Sequence, residues 1–324
     1  MYKASELREM VQKELLEAGY VTYPEMLFEP INYLIGDGGK RLRPVLLLMA
    51  YNLFRDDVEK ALKSAVGIEI FHNYTLLHDD VMDDADLRRG MPTVHRKWNN
   101  NVAILSGDAA AIVAYQYIES CEDKYLRQVI SGFNRMAMEI CKGQQLDMEF
   151  ETRNDVTEEE YIKMIFWKTS VLLGGSLRHG ALIAGADEKI YNALYDMGVA
   201  LGLAFQLQDD YLDVYGDVRT FGKQIGGDIT VNKKTYLLIK AMELADPDQL
   251  RRLEDWISRK EFDKEEKIKA VTAIYDEIGI RPVVQKAVNK YLDEGRRLLD
   301  TIPVPASKKT GFVEIIDAMA DRNN

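Results

Sequence analysis

No proline occurs between Pro92 and Pro247, a gap of more than 150 residues. Proline breaks a helix interior at a cost of about 3 kcal/mol, so a stretch this long without it suits long helices. Within the gap Tyr161, Met164, Ile165, Val171 and Leu172 recur at helical spacing, with Lys168 the one charged member of that face. Thr157 and Glu160 stand where a capping box would open the helix. Alternating Val, Ile and Thr runs bounded by paired turns are missing, and no strand–helix–strand rhythm appears. The pattern predicts an all-α protein.

A length of 324 residues gives a prior of about two domains. No Pro/Ser-rich or low-complexity stretch divides the chain, however, and the glycines at 36, 38 and 39 and at 222, 226 and 227 read as loops between helices. The expectation is one helical domain over residues 1–324. With 42 Lys+Arg against 53 Asp+Glu the net charge is −11, which argues against a general nucleic-acid binder or a basic membrane-surface protein. The first twenty residues are charged and amphipathic, without an apolar leader core, and the longest strongly apolar run, Pro44 to Phe54, falls far short of the ~20 residues of a membrane span. A cytoplasmic protein with no membrane span is expected. Cys121 and Cys141 form no CxxC or Cys/His cluster and read as free, buried thiols.

One short repeat stands out. Asp79-Asp80-Val81-Met82-Asp83 and Asp209-Asp210-Tyr211-Leu212-Asp213 both read DDxxD, each inside an apolar helical stretch. On a helix, Asp79 and Asp83 fall within ~40° of one another, one turn apart, and Asp209 and Asp213 repeat that geometry. Carboxylates so placed repel when exposed and cost far more when buried uncompensated, so something positive belongs between them. Their oxygens suit Mg²⁺, which keeps several waters and is usually completed by substrate phosphates. An EF-hand fails, because the acids do not alternate and no glycine takes the sixth loop position.

Cations accompany the repeat. Gly39-Lys40-Arg41-Leu42-Arg43-Pro44 packs three into four residues, yet it is no P-loop, since Leu34 and Arg41 stand where glycine and Ser/Thr would be required. Guanidinium forks of this kind bind diphosphate bidentately. Arg88 and Arg89 follow the first acidic motif by five residues, and Lys168-Thr169, Lys223 and Lys233 are further candidates. His72 lies two helical turns before Asp79 and only ~20° off its face. His78, beside Asp79, also permits an HD-type phosphohydrolase reading, which leaves the second DDxxD and the KRLR segment unexplained.

From about residue 36 to 236 the chain resembles the trans-isoprenyl diphosphate synthases, or polyprenyl synthetases. The resemblance rests on GGKRLRP, FHNYTLLHDDVMDDADLRRGMPTVH, GQQLDMEF, the Lys168-Thr169 pair, FQLQDDYLDVYGD, and FGKQIGGDI with NKK, in that order. It implies an all-α isoprenoid synthase bundle, homodimeric, with the two aspartate motifs facing across a central cavity. It implies Asp79, Asp83 and Asp209 as the main Mg²⁺ ligands, about three ions per site, supported by Asp80, Asp210 and Asp213. Arg88, Lys168, Thr169, Lys223 and Lys233 would then hold an allylic diphosphate with Gln206 close by, while Lys40, Arg43, His72 and Arg89 would hold isopentenyl diphosphate.

The activity implied is head-to-tail condensation of isopentenyl diphosphate with an allylic diphosphate. Metal and cations would stabilise charge on the departing diphosphate, and the acceptor's double bond would attack the allylic cation. Tyr74, five positions before Asp79 and followed by the small Thr75, looks like the short-chain pattern giving C20 or C15 products. Two departures leave roles open: Asp84, where the family commonly has a neutral polar residue, and a C-terminal Asp321–Asn324 less basic than in many relatives. A class I terpene cyclase would mix Asn, Ser or Thr with Glu in its second motif, and a non-catalytic subunit of a two-chain synthase would lose the aspartates.

Overall fold

Most of the proline-free stretch is helical in the computed structural model of the chain, which describes residues 1–17, 23–36, 38–216 and 225–321. In chain order the elements are α1 (Ala4–Glu17), α2 (Glu25–Gly36), α3 (Leu42–Asn52), α4 (Glu59–Met82), β1 (Leu87–Arg88), β2 (Met91–Pro92), α5 (Val94–Lys97), α6 (Asn100–Ile118), α7 (Asp123–Glu151) and α8 (Glu158–Ile165). A π turn over Phe166–Ser170 leads to α9 (Val171–Ile183) and α10 (Glu188–Tyr215). Then come α11 (Gly227–Thr230), α12 (Tyr236–Leu244), α13 (Pro247–Ser258), α14 (Lys264–Ile278), α15 (Ile280–Thr301) and α16 (Ala306–Asp321). The all-α expectation is met, and among the described residues the one sheet is a two-stranded hairpin.

The helix ends follow from sequence. Thr157 and Glu160 form the expected capping box at the start of α8. Asp246 caps α13, with Pro247 at its first position, where a missing N–H costs nothing. Gly279 closes α14 in the left-handed conformation that glycine adopts without a Cβ penalty.

The chain divides into two compact units. The first comprises Met1–Ala137, Leu172–Gly198 and Leu298–Glu314. Its α3 is buried from Pro44 to Asn52, with Leu46, Leu47, Leu48 and Met49 fully enclosed. This accounts for the longest apolar run as a core helix. α4 packs most extensively on α6, and Gly67 permits the approach, because a Cβ there would lie 3.0 Å from the Ala114 carbonyl oxygen.

The second unit comprises Met138–Val171, Val199–Arg297 and Ile315–Asn324. Within it α14 packs on α13 and α11, and Ile280, Val284, Val288 and Leu292 bury one stripe of α15 at i, i+4 spacing. Each fully buried aliphatic side chain contributes roughly 1.5–3 kcal/mol.

The cysteines depart from expectation. Cys141 is exposed on α7 and Cys121 half-buried in the turn between α6 and α7; neither is a core thiol. Cys141 occupies the outward side of an amphipathic helix, a position that the apolar residues around it in sequence concealed.

Candidate active site

In the first unit α4 ends at Met82, so Asp79 and Asp80 lie in its last turn and Asp83 caps it, its N–H donating to the Asp79 carbonyl at 2.9 Å. Arg88 reaches back from the hairpin. Its Nε lies 2.8 Å from one Asp80 oxygen and a terminal nitrogen 2.7 Å from the other, with Asp79 at 3.5 Å. Asp80 is 2% exposed, and burial pushes its carboxyl above the usual range even against the Arg88 contact.

The hairpin is built to present Arg88 and Arg89. Leu87 pairs with Pro92 and Arg88 with Met91, leaving Arg89-Gly90 as a two-residue turn in which both φ angles are positive. The Arg89 guanidinium donates to the Gly38 carbonyl at 2.9 Å and lies over Gly39, where a Cβ would come within 3.1 Å of it. Asp84 has φ +50° and pairs with Arg96 at 2.9 Å, and the same guanidinium holds Asp86 at 2.8 Å. The extra negative charge after the first motif is thus matched by a local cation.

The KRLR segment splits by direction. Arg41 points inward: it is 2% exposed and pairs with the buried Glu69 at 2.8 Å. Lys40 is exposed, and Arg43 lies 3.0 Å from His72 Nε2. A guanidinium has no acceptor, so Nε2 accepts and the His72 proton sits on Nδ1. Burial and the Arg43 charge, reinforced by Arg89 and Arg88, hold His72 well below its ordinary pKa. His72, Arg43, Arg88 and Arg89 therefore share one electrostatic neighbourhood. His78 instead bonds the Ile104 carbonyl at 3.0 Å, over a Gly107 whose Cβ would clash with its ring. The HD-type reading gains nothing from that placement.

Tyr74 and Thr75 lie on the same helix. Thr75 donates to the His72 carbonyl at 2.8 Å. The Tyr74 ring stands 5.4 Å from Phe71 and 4.8 Å from His78, and Phe71 lies 4.8 Å from Phe133. These rings form an aromatic cluster N-terminal to the aspartates.

In the second unit, Asp209, Asp210 and Asp213 lie on the last two turns of α10. Both Asp210 oxygens are taken by protein donors. One accepts the Tyr161 hydroxyl and the Tyr236 N–H, and the other accepts Gln206 Nε2 at 3.1 Å. Burial, with Asp228 next, pushes its carboxyl up to about 7. Asp213 accepts the Asp228 N–H at 3.0 Å and so fixes the start of α11. The two motifs repeat one arrangement: the second aspartate is buried and held by protein donors, Asp80 by Arg88 and Asp210 by Tyr161, Tyr236 and Gln206.

Lys168 and Thr169 sit in the π turn, a distortion that often marks functional positions in helices. It breaks the simple 3.6 register that the sequence pattern predicts through Lys168. Gly143 of α7 lets the backbone press against it, since a Cβ there would lie 2.2 Å from the Lys168 nitrogen. Lys168 Nζ lies 2.6 Å from Asp147, and Lys233 Nζ lies 3.7 Å from the same carboxylate. Burial alone would raise Asp147, but Lys233 and Lys168 outweigh it and hold the carboxyl below its ordinary value. Thr169 donates to Gln206 at 3.0 Å, which joins the π turn to Asp210.

Lys223 and residues 322–324 lie outside the described residues. Among the described residues no three His, Cys, Asp or Glu side chains gather tightly enough to hold a metal by themselves. The donors at each motif are aspartate oxygens, hard ligands of the type Mg²⁺ takes while filling its shell with water and phosphate. Asp147 and Tyr161 were not singled out from sequence as site residues. Asp147 stands inside GQQLDMEF, but its partners come from Lys168 and Lys233, 21 and 86 positions away.

No described helix is long and apolar enough to cross a membrane. A family model described as Polyprenyl synthetase matches residues 24–275. The geranylgeranyl diphosphate synthase of Methanosarcina mazei is 38% identical over 304 residues, covering 93% of this chain and 91% of that protein. The geranylfarnesyl diphosphate synthase of Natronomonas pharaonis is 34% identical over 337 residues, covering 98% and 96%. A crystal structure of a geranylgeranyl pyrophosphate synthase is 41% identical and superposes with a TM-score of 0.95 over 99% of each chain. With a DDxxD motif at the end of each of two helices and the family model matched over residues 24–275, the chain belongs to the polyprenyl synthetase family.

Proposed function

We propose that this chain is a short-chain trans-prenyltransferase. It joins isopentenyl diphosphate head-to-tail to an allylic diphosphate and stops mainly at C20. The observation that carries the reading is the repeated arrangement of the two DDxxD helices. In each, the protein's own donors hold the second aspartate, and the first and third stand one turn apart at a helix end. The match over residues 24–275 draws on both compact units, so we read the chain as one synthase domain.

Asp79, Asp83, Asp209 and Asp213 would hold Mg²⁺, three ions in the full complex, with Asp80 and Asp210 fixing the helix ends behind them. Bound there, the metal supplies positive charge against the diphosphate that departs in the transition state. Arg88, Lys168, Lys233 and Lys223 hold the allylic diphosphate, and Thr169 and Gln206 keep the π turn in register with α10. Lys40, Arg43, His72 and Arg89 hold the acceptor diphosphate; neutral His72 adds a directed polar contact without repelling Arg43. When the allylic C–O bond ionises, the acceptor's double bond attacks the cation and a proton leaves to the released diphosphate. No side-chain nucleophile is required. We also propose a homodimer, because α6 leaves Leu105 60% and Ile112 63% exposed, seven residues apart on one face.

Mass analysis of dephosphorylated products tests the reading, using the purified chain alone with Mg²⁺, isopentenyl diphosphate and dimethylallyl diphosphate. A linear C20 alcohol is expected. Cyclic hydrocarbons would indicate a cyclase, and absence of product a non-catalytic subunit.

A further inference from the structure

Lys267, on α14, belongs to no motif and is 1% exposed, a rare state for a lysine. Its Nζ lies 2.7 Å from Asn232 Oδ1 and 3.4 Å from the Thr230 carbonyl, and 4.1 Å over the Phe262 ring. Asn232 has φ +55°, in the left-handed region where asparagine is enriched and most other side chains are rare. Its Nδ2 donates to the Ile257 carbonyl at 3.1 Å, at the end of α13. Its own carbonyl accepts from the amine of the buried Lys234 at 3.2 Å. Two lysines and two helices thus converge on one left-handed residue.

The next residue is Lys233. Its N–H donates to the Asp228 carbonyl at 2.9 Å and its ammonium reaches Asp147, the carboxylate that also holds Lys168. A left-handed residue immediately before Lys233 sets the direction in which that side chain leaves the backbone. Without the bond to Oδ1, Asn232 loses the contact that ties its turn to α14. Burial of a cation is costly unless it is matched by acceptors, and here the acceptors all belong to residues 230–232 and the ring of Phe262.

We propose that Lys267 is a positioning residue for the allylic site: its buried amine holds the Asn232 turn that aims Lys233 at the diphosphate. This rests on the role given to Lys233 under the proposed function and goes beyond it by naming what sets that lysine's geometry.

The test compares Lys267→Met, which keeps the volume and removes the amine, with Lys267→Arg and Lys233→Ala in steady-state kinetics. Lys267→Met is expected to raise KM for the allylic diphosphate about tenfold and leave KM for isopentenyl diphosphate within about twofold, as loss of a supporting contact behind a ligand-binding group does. Lys267→Arg should recover most of the loss. In the Lys233→Ala background, Lys267→Met should add little. A lower melting temperature with both KM values unchanged would mean that Lys267 is only a packing residue and would overturn the proposal. Should Lys267→Met fail to fold, Asn232→Gly decides, since it keeps the φ angle and removes the clamp: the same selective rise supports the proposal and its absence overturns it. If Lys233→Ala itself leaves the allylic KM unchanged, the assignment of Lys233 falls, whereas an effect of Lys233→Ala without one of Lys267→Met sinks the positioning role alone.

Discussion

Arg41 and Glu69 form an ion pair of 2.8 Å with both side chains buried, in the middle of a segment whose flanking cations, Lys40 and Arg43, are more accessible. Removing one partner of a buried pair leaves an uncompensated charge, at a cost of about 3–5 kcal/mol. Arg41→Met should therefore destabilise the chain by that order in chemical denaturation, while Arg41→Met/Glu69→Leu should recover most of the loss. Both KM values of any folded Arg41→Met protein should stay near those of the parent. A raised KM for isopentenyl diphosphate with unchanged stability would make Arg41 a ligand.

Arg43 should behave in the opposite way. Its guanidinium lies 3.0 Å from His72, and with Arg43 assigned to the acceptor diphosphate as proposed, Arg43→Ala would remove a charged contact from that site only. KM for isopentenyl diphosphate is expected to rise at least about tenfold, with the allylic KM changed less than about threefold. Equal rises for both substrates would contradict the division between the sites.

Much of this was legible in the sequence. The empty proline interval gave the long helices, Thr157 and Glu160 gave a helix start, and the repeat gave both carboxylate sets. What the sequence hid depends on direction and on distant pairing. KRLR does not reveal that Arg41 turns inward, because Glu69 lies 28 positions away. The π turn shifts register by one residue inside a pattern whose apolar face Lys168 alone interrupts, which a 3.6-residue period cannot register. Lys267 looks like any charged residue of an amphipathic helix, and only the fold brings it to Asn232.

The aromatic cluster bears on chain length. Tyr74 packs between Phe71 and His78, and Tyr115 packs on Phe133 at 4.8 Å behind them. Tyr74 precedes Asp79 by five residues, hence ~7.5 Å along the helix, in the direction a growing apolar chain would extend under the proposed function. Tyr74→Ala should shift products beyond C20, because an apolar cavity accepts an apolar ligand, and Thr75→Phe should shorten them. An unchanged product distribution from a folded, active Tyr74→Ala enzyme would reduce Tyr74 to ordinary packing.

His179 sets an acid limit on the first unit. It is buried, and desolvation pulls its pKa down to about 4 from the ordinary 6.5. The unfolded chain takes up the proton more readily, so the neutral imidazole's contribution is fully present above pH 6.5 and is lost as pH falls from 6.5 toward 4. The loss approaches about 3 kcal/mol. Stability curves from pH 7 to pH 4 should be flatter for His179→Gln than for the parent, and parallel curves would remove His179 as the cause.

Metal binding by the carboxylate pairs is tested by kcat/KM for condensation by Asp79→Ala and Asp209→Ala, with the parent in excess EDTA as control. Each variant is expected to lose at least ~10²-fold, about 2.7 kcal/mol of transition-state stabilisation, and EDTA to abolish turnover. Near-normal turnover in either folded variant, or full activity in EDTA, would contradict the assignment of these aspartates to the metal.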